Sequence, residues 1–340
     1  MVQTIWLDNA RIIACFSVIF LHISAGFVIG NDVGTEYWWI GNLYDSAVRW
    51  CIPVFVMISG ALLLDPKKQE NLATFYTKRI SRILIPIIFW SAFYLTWCYL
   101  KGVVKGNKPS IIDLSKKLLS GVPYYHMWFL YMIIGLYLFT PFFRKIVIYS
   151  SKKELLIFTT ITFVMTMLNS AYNTFMAAGE LKLFINWFLL FIPFFFMGII
   201  IRQDNRKPKM SILWCVFTAS IIATSYGCYI LSKNIGLKYG LYYYDYLSVS
   251  VVPMSISFMF ILKRWNNPII NITFTRKLSI LTLGIYLVHP TILDIVDYMQ
   301  YCPGSFHPIV SIPVVTFIVF GISAGVVYVI HKIPLVKKII

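Results

Sequence analysis

The chain has 340 residues, of which 59% are hydrophobic and 13% are charged, and its mean hydropathy is +0.75. A soluble domain has about a quarter of its residues charged, so this composition excludes a soluble globular protein and predicts an integral membrane protein. The net charge of +17 arises from 30 Lys and Arg against 13 Asp and Glu. The cations form short clusters between apolar segments, which indicates membrane topology signals and not a nucleic-acid-binding surface.

Ten apolar segments are long enough to cross a bilayer. In chain order they are residues 12–30, 46–64, 80–100, 127–143, 155–176, 183–201, 210–231, 243–262, 279–298 and 309–331. The first is longer than the hydrophobic region of a typical signal peptide, so we expect a retained helix. We predict an all-α, polytopic transmembrane helical bundle that forms one membrane domain over residues 1–340, with no separate soluble domain.

The positive charges divide unequally between the two sides of such a bundle. With alternating loops, 21 Lys and Arg residues fall on the side of Arg11 and 8 on the other. The positive-inside rule therefore predicts that both termini are cytoplasmic. The segment 101–125, with five lysines, is assigned to the outside.

Arg11 and His22 are eleven residues apart in the first segment. At about 100° per residue they share a helix face, and they are separated axially by about 16 Å. His22 and His289 each follow the start of an outward-running segment by ten residues, which places both imidazoles roughly 15 Å deep. A neutral imidazole at that depth suits a general base that takes a proton from a hydroxyl, although a hydrogen-bonded structural histidine stays open.

Lys78, Arg79 and Arg82 precede the third segment on the cytoplasmic side. Arg79 and Arg82 share a helix face and can clamp phosphate oxygens, although a simple topology signal also explains them. A coenzyme A thioester carries anionic phosphates at one end of a thin arm and its reactive carbonyl at the other. Surface arginines and a central histidine match that arrangement, so we expect both to line one narrow passage.

Five motifs occur in order over residues 5–290. They are "WLDNARIIACFSVIFLH" with Asp8, Arg11 and His22, "PVFVMISGALL" at 53–63, "RISR" at 79–82, "HMWFLY" at 126–131 and "LGIYLVHP" at 283–290. Together they resemble integral-membrane acyltransferase family 3, whose members O-acylate bacterial surface polysaccharides, peptidoglycan and some small molecules.

The resemblance implies that His22 is the catalytic base. It also implies that Arg11, Arg79 and Arg82 hold an acyl-CoA donor, with acetyl-CoA as the expected co-substrate and no metal. Asp8, one helical turn before Arg11, is expected to orient the guanidinium of that arginine.

Two departures from the family pattern matter. Ile12 stands where the family usually has glycine after the first-helix arginine. We also expect no appended esterase-like domain, so that the chain would deliver the acyl group itself or pass it to another protein. The resemblance implies a multi-pass protein of the bacterial plasma membrane.

Several residues near these motifs are further candidates. Tyr286 lies one turn before His289 and is a candidate donor to a tetrahedral oxyanion. Pro290 is expected to bend its helix. Ser59 and Gly60 are expected to permit close helix packing.

The outer loops are rich in aromatic residues close to carboxylates. This pattern suits sugar rings, although interfacial Trp and Tyr also form membrane belts. The candidate substrate contacts are Asp32, Glu36, Asp45, His126 and Trp128. Asp294 and Asp297 fit either a sugar contact or a solvated helix end.

These observations predict a membrane O-acyltransferase that moves an acyl group from cytoplasmic acyl-CoA to a hydroxyl of a cell-surface glycan or its lipid-linked precursor. A covalent relay through an acyl-histidine or an acyl-cysteine, with Cys15 two turns before His22 as a conceivable carrier, stays open. The competing class is a proton-coupled transporter or a flippase of a lipid-linked saccharide, in which the histidines relay protons. The sequence leaves open the acceptor sugar, the acyl chain, the membrane face that the acceptor approaches, and homo-oligomer formation.

Overall fold

The structure is a computed structural model that describes residues 5–68, 70–176, 186–299, 306–334 and 336–340, except for the side chains of Ile80 and Ser81. All regular secondary structure in these ranges is helical. The helices are α1 (Ile5–Gly30), α2 (Glu36–Val48), α3 (Cys51–Leu63), α4 (Leu72–Val104), α5 (Ile111–Leu119), α6 (Trp128–Tyr149), α7 (Lys152–Phe175), α8 (Trp187–Gln203), α9 (Met210–Ile235), α10 (Leu237–Gly240), α11 (Val251–Lys263), α12 (Ile272–Tyr298) and α13 (Pro308–Lys332). Short 3-10 turns occur at Leu241–Tyr244 and Val336–Ile339. The predicted all-α polytopic bundle is confirmed.

Within the described ranges, eight helical segments are long and apolar enough to cross a membrane. One of them is the run Glu36–Leu63, in which α3 follows α2 after a two-residue break. The shorter apolar helices α8 and α11 correspond to the sixth and eighth predicted segments. Residues 183–185, at the predicted start of the sixth, lie outside the described residues. The eighth begins later than predicted, at Val251, because α10 and a 3-10 turn occupy the preceding residues.

Helix α1 lies at the centre of the bundle. It packs against α2, α3, α11, α12 and α13, so neighbouring helices surround it on several sides. The side-chain amide of Asn9 anchors its first turn by donating to the backbone carbonyls of Trp265 and Asn267, at 3.2 and 2.8 Å. Packing against the neighbouring helices and the hydrogen bonds of Asn9 therefore hold in place the helix that carries Arg11 and His22.

Helices α3 and α8 approach each other at two glycines. A Cβ at Gly60 would collide with the backbone carbonyl of Phe195, and a Cβ at Gly198 would collide with that of Met57. Only glycine permits such a close approach of the two backbones, which agrees with the close packing expected at Gly60.

The segment 101–125 contains a helix that the apolar pattern does not reveal. Ser110 caps α5, and its side chain and that of Asp113 form a reciprocal capping box. The hydrogen bonds from Ser110 lower the pKa of the Asp113 carboxyl. None of the α5 residues is buried, and Ile111 and Leu119 are exposed, so α5 has the character of an amphipathic helix at a membrane surface.

Candidate active site

A cavity of about 370 Å³, here called the arginine cavity, contains all three arginines of the sequence motifs. It is lined by Arg11, Arg79, Arg82, Ser59, Tyr137, Ser279 and Tyr286, together with apolar side chains. It therefore runs from the start of α4, between α1, α6 and α12, to a tyrosine one turn before His289. This arrangement joins a cationic opening to the interior of the bundle.

Arg11 is held by an acidic partner on its own helix. Its guanidinium lies 3.6 Å from the Asp8 carboxylate, which in turn accepts a hydrogen bond of 2.8 Å from the Ser279 hydroxyl. The side chain of Arg11 keeps 34% of its surface exposed in the cavity. Asp8 thus ties α1 to α12 and contacts the guanidinium of Arg11.

Arg79 and Arg82 are not paired in this way. Within the described residues neither guanidinium forms an ion pair, and the buried Nε of Arg79 has no hydrogen-bond partner. The adjacent Lys78, by contrast, forms an ion pair of 3.6 Å with Glu70. Two cations with open donors on one helix face suit an anionic ligand with several oxygens.

Three histidines meet at the inner end of the arginine cavity. The rings of His22 and His289 are stacked, with centroids 5.5 Å apart and an angle of 18° between their planes. His126 completes the cluster, since its ring lies 5.5 Å from that of His289 at 73°. His126 was expected to contact substrate from an outer loop, but it is 1% exposed and lies inside the bundle. No group of three or more metal-ligating side chains forms a metal site among the described residues.

Pro290 determines the hydrogen bonding of His289. Proline has no backbone N–H, so the carbonyl of Tyr286, four residues earlier in α12, is not used by the helix. The Nδ1 of His289 lies 2.7 Å from that carbonyl. Because a carbonyl can only accept, Nδ1 carries the proton of a neutral ring, and Nε2 keeps its lone pair. That Nε2 is buried and has no partner in the described part of the chain.

Tyr286 separates the histidines from the arginine cavity. Its ring lines the cavity and lies 5.8 Å from the ring of His289. Its hydroxyl donates to the backbone carbonyl of His126 at 2.5 Å. The single hydroxyl proton is therefore already engaged, and the expected role of Tyr286 as an oxyanion donor is not supported by this geometry.

A second cavity, of about 610 Å³, opens on the opposite side of the histidines and is here called the histidine cavity. Its polar lining comprises His22, Asn31, Tyr125, Asp294 and Asp297. The ring of Tyr125 packs edge-on against His22 at 4.7 Å. Arg11 and His22 thus line different cavities with no lining residue in common, and the rings of Tyr286 and His289 lie between them. The single passage expected from their shared helix face is therefore not found in the described part of the chain.

Asp294 organises one wall of the histidine cavity. Its carboxylate accepts hydrogen bonds from Lys101 at 2.7 Å, from the Trp97 indole at 2.7 Å and from the Tyr124 hydroxyl at 2.5 Å. Asp294 therefore joins α4, α12 and the chain before α6, and it is not a free charge at a helix end.

A protein-family model described as "Acyltransferase domain" matches residues 4–331, which is nearly the whole chain. The chain belongs to acyltransferase family 3. No curated protein and no solved structure gave a match. Its multi-pass helical fold and its family membership together make it a membrane acyltransferase.

The other candidate contacts of this acyltransferase lie at different distances from the histidines. Glu36 is exposed and pairs with His307 at 3.1 Å, and Asp32 lines the same outer depression as Glu36. Trp128 stacks on Tyr246 at 5.7 Å, within an aromatic cluster that does not border the histidine cavity.

Cys15 and Ile12 are both buried in the core of the acyltransferase. The Cys15 thiol is buried and lies 3.4 Å from the backbone carbonyl of Thr282, to which it donates. Cys15 lines neither cavity, so we do not propose the cysteine relay. Ile12, at the position usually occupied by glycine, is buried in the core.

Sequence reasoning assigned no role to three residues of the site. They are Tyr125, Lys101 and Arg49. Arg49 follows Asp45 by four residues. An acid and a base at that spacing in an apolar segment indicate a buried ion pair.

Proposed function

We propose that this acyltransferase transfers an acyl group, most simply acetyl, from cytoplasmic acyl-CoA to a hydroxyl of a cell-surface glycan or its lipid-linked precursor at the bacterial plasma membrane. The observation that carries the proposal is a pair of cavities linked by ring contacts, since Tyr286 lines one of them and His289 packs between Tyr286 and His22, which lines the other. One is cationic and the other contains His22, so each substrate has its own approach to a common centre. Membership of an acyltransferase family favours this function over a transporter or flippase.

The donor would enter the arginine cavity. Arg79 and Arg82 have no acidic partner and would bind the phosphates of coenzyme A, while Arg11, held by Asp8, would bind further along the arm. The apolar lining between them suits the pantetheine arm. The thioester carbonyl would then face Tyr286.

The acceptor hydroxyl would enter the histidine cavity and hydrogen-bond to His22. His22 takes the hydroxyl proton as the oxygen forms a bond to the acyl carbon, and the carbon–sulfur bond breaks. Coenzyme A leaves as a thiolate through the arginine cavity and takes up a proton there. His22 then returns its proton to water in the histidine cavity, so charge and protons balance.

His289 would hold His22 in position through the ring stack. Its proton is fixed on Nδ1 by the Tyr286 carbonyl, so its orientation relative to α12 is set. Because Tyr286 and His289 lie between the two cavities, the proposal requires these side chains to move when the acyl group meets the hydroxyl.

The test uses the purified protein in lipid vesicles with radiolabelled acetyl-CoA and a thiol reagent that detects released coenzyme A. We expect His22→Ala to lower the rate of coenzyme A release by about a hundredfold to ten-thousandfold, with unchanged binding of acetyl-CoA. His331→Gln, at an exposed position at the end of α13, is the matched control. Release by His22→Ala at the unmutated rate would exclude His22 as the base.

A further inference from the structure

The structure contains a buried ion pair beside the histidine cavity that the transfer chemistry does not use. Asp45 lies in the last turn of α2 and Arg49 at the break between α2 and α3, in the middle of the span Glu36–Leu63. Pro53 accounts for the break, because it offers no N–H to the carbonyl of Arg49, four residues earlier. The break places a guanidinium at a depth where an isolated charge is costly.

The pair is fixed from several sides. The Arg49 guanidinium lies 2.5 Å from the Asp45 carboxylate, donates to the Tyr244 carbonyl at 3.3 Å, and stacks over the Tyr244 ring at 4.0 Å. The Tyr244 hydroxyl donates to the Asn42 side chain at 2.7 Å. These contacts make the pair rigid, which is a property of preorganised binding groups.

The polar atoms of the pair are not all satisfied. Asp45 is fully buried, yet its Oδ1 has no hydrogen-bond partner in the described part of the chain, and the same holds for the Nε of Arg49. A buried pair with a purely structural role is expected to have its remaining donors and acceptors bonded. An acceptor and a donor of one ion pair that both lack a partner indicate a ligand that supplies both.

Both residues border a cavity of about 310 Å³, here called the ion-pair cavity, which also includes Tyr244 and Asp245. Its volume is at the lower end of the range for small-ligand pockets. Ala25 and Ile29 line both this cavity and the histidine cavity, so the two cavities meet along α1. Ala25 is three residues beyond His22, which corresponds to about 4.5 Å along the helix axis.

We propose that the ion-pair cavity is a second subsite that binds a vicinal diol on the sugar adjacent to the one that is acylated. One hydroxyl donates to Asp45 and its neighbour accepts from Arg49, while the acceptor hydroxyl lies at His22. The inference rests on the proposed function and extends it: the acceptor has at least two sugar units. Asp45 and Asp245 at this cavity also disfavour an anionic substituent on the second sugar.

The test compares methyl glycosides of glucose, galactose and N-acetylglucosamine with the methyl glycosides of their β1,4-linked disaccharides. For the unmutated protein we expect the KM of the preferred disaccharide to be about tenfold lower than the KM of the corresponding monosaccharide. This ratio is the expected effect of one pair of charge-assisted hydrogen bonds. The double variant Asp45→Asn/Arg49→Gln removes both charges together, and should raise the disaccharide KM about tenfold more than the monosaccharide KM.

Two variants separate this effect from a loss of folding. Arg49→Lys keeps a cation beside Asp45 but lacks the fork that reaches both the carboxylate and a diol, so it should also reduce the disaccharide preference. Asp204→Asn/Arg206→Gln removes an aspartate–arginine pair just after α8, of which the arginine is exposed, and should leave the preference intact. Size-exclusion elution and the thermal midpoint report folding for each.

A disaccharide preference that is absent from the unmutated protein, or that survives in the double variant, would overturn the second subsite. Either result leaves the proposed function intact, provided that coenzyme A release depends on His22. Absence of turnover with every glycoside, or release that does not depend on His22, would contradict the proposed function and the second subsite together.

Discussion

The arginine cavity and the histidine cavity differ in how their charges are balanced. In the first, Arg79 and Arg82 have no acidic partner among the described residues. In the second, the carboxylate of Asp294 is bonded to Lys101 and to two aromatic donors. Under the proposed function, uncompensated charge would bind one substrate and directed hydrogen bonds would bind the other. A polyanionic donor and a hydroxyl-rich acceptor have these two requirements.

The largest effect is expected in the arginine cavity. The double variant Arg79→Ala/Arg82→Ala should raise the KM for acetyl-CoA about a hundredfold, because two charge-assisted sets of hydrogen bonds to phosphate are lost. The KM for the unmutated protein should also rise with ionic strength, and this dependence should weaken in the variant. Coenzyme A release at a series of donor and salt concentrations measures both.

The matched control for that variant is Lys152→Ala/Lys153→Ala. It removes two cations that line a separate cavity near the start of α7. If the lysine variant raises the donor KM as much as the arginine variant, the effect comes from the general surface charge and not from the arginine cavity.

A smaller effect is expected in the histidine cavity. Asp294→Asn removes the ion pair with Lys101 and leaves fewer acceptor sites for Trp97 and Tyr124, so the cavity wall loses its fixed shape. We expect the acceptor KM to rise about tenfold, with the acetyl-CoA KM unchanged. Asp113→Asn, an exposed position with the same change of charge, is the control. A higher donor KM in Asp294→Asn, with a normal acceptor KM, would contradict the division of roles.

Much of the fold could be predicted because bilayer thickness and helix geometry restrict the alternatives. The register of Arg11 and His22 depends only on the pitch of one helix, and both side chains do reach cavities. The capping pattern of Ser110 and Asp113 was also readable, although α5 lacks the long apolar run that marks a membrane span.

The division of the site could not be predicted, because it depends on contacts between distant segments. His126 lies among outer aromatic residues in the sequence, but the hydrogen bond between its carbonyl and Tyr286 spans 160 residues. The separation of the two cavities likewise depends on how α12 packs against α1. Periodicity places residues on a helix face, but it does not show which other helix covers that face.

The smallest effect is expected at Pro290, which directly follows His289 in α12. Pro290→Ala restores an N–H that competes with His289 Nδ1 for the Tyr286 carbonyl. The ring of His289 would then exchange between tautomers, and the rate of acyl transfer should fall about fivefold, the effect of one net hydrogen bond. Both KM values should stay near those of the unmutated protein, because Pro290 lines neither cavity.

The nitrogen-15 NMR signals of labelled histidine would test this cause directly, since protonated and unprotonated ring nitrogens have different chemical shifts. The unmutated protein should show one His289 tautomer with the proton on Nδ1, and Pro290→Ala should show a mixture. Pro193→Ala, which restores an N–H inside α8 and away from the histidines, controls for a general change in helix rigidity. An equal loss of rate in both variants, with a single His289 tautomer in each, would mean that Pro290 acts on the shape of α12 and not on the imidazole.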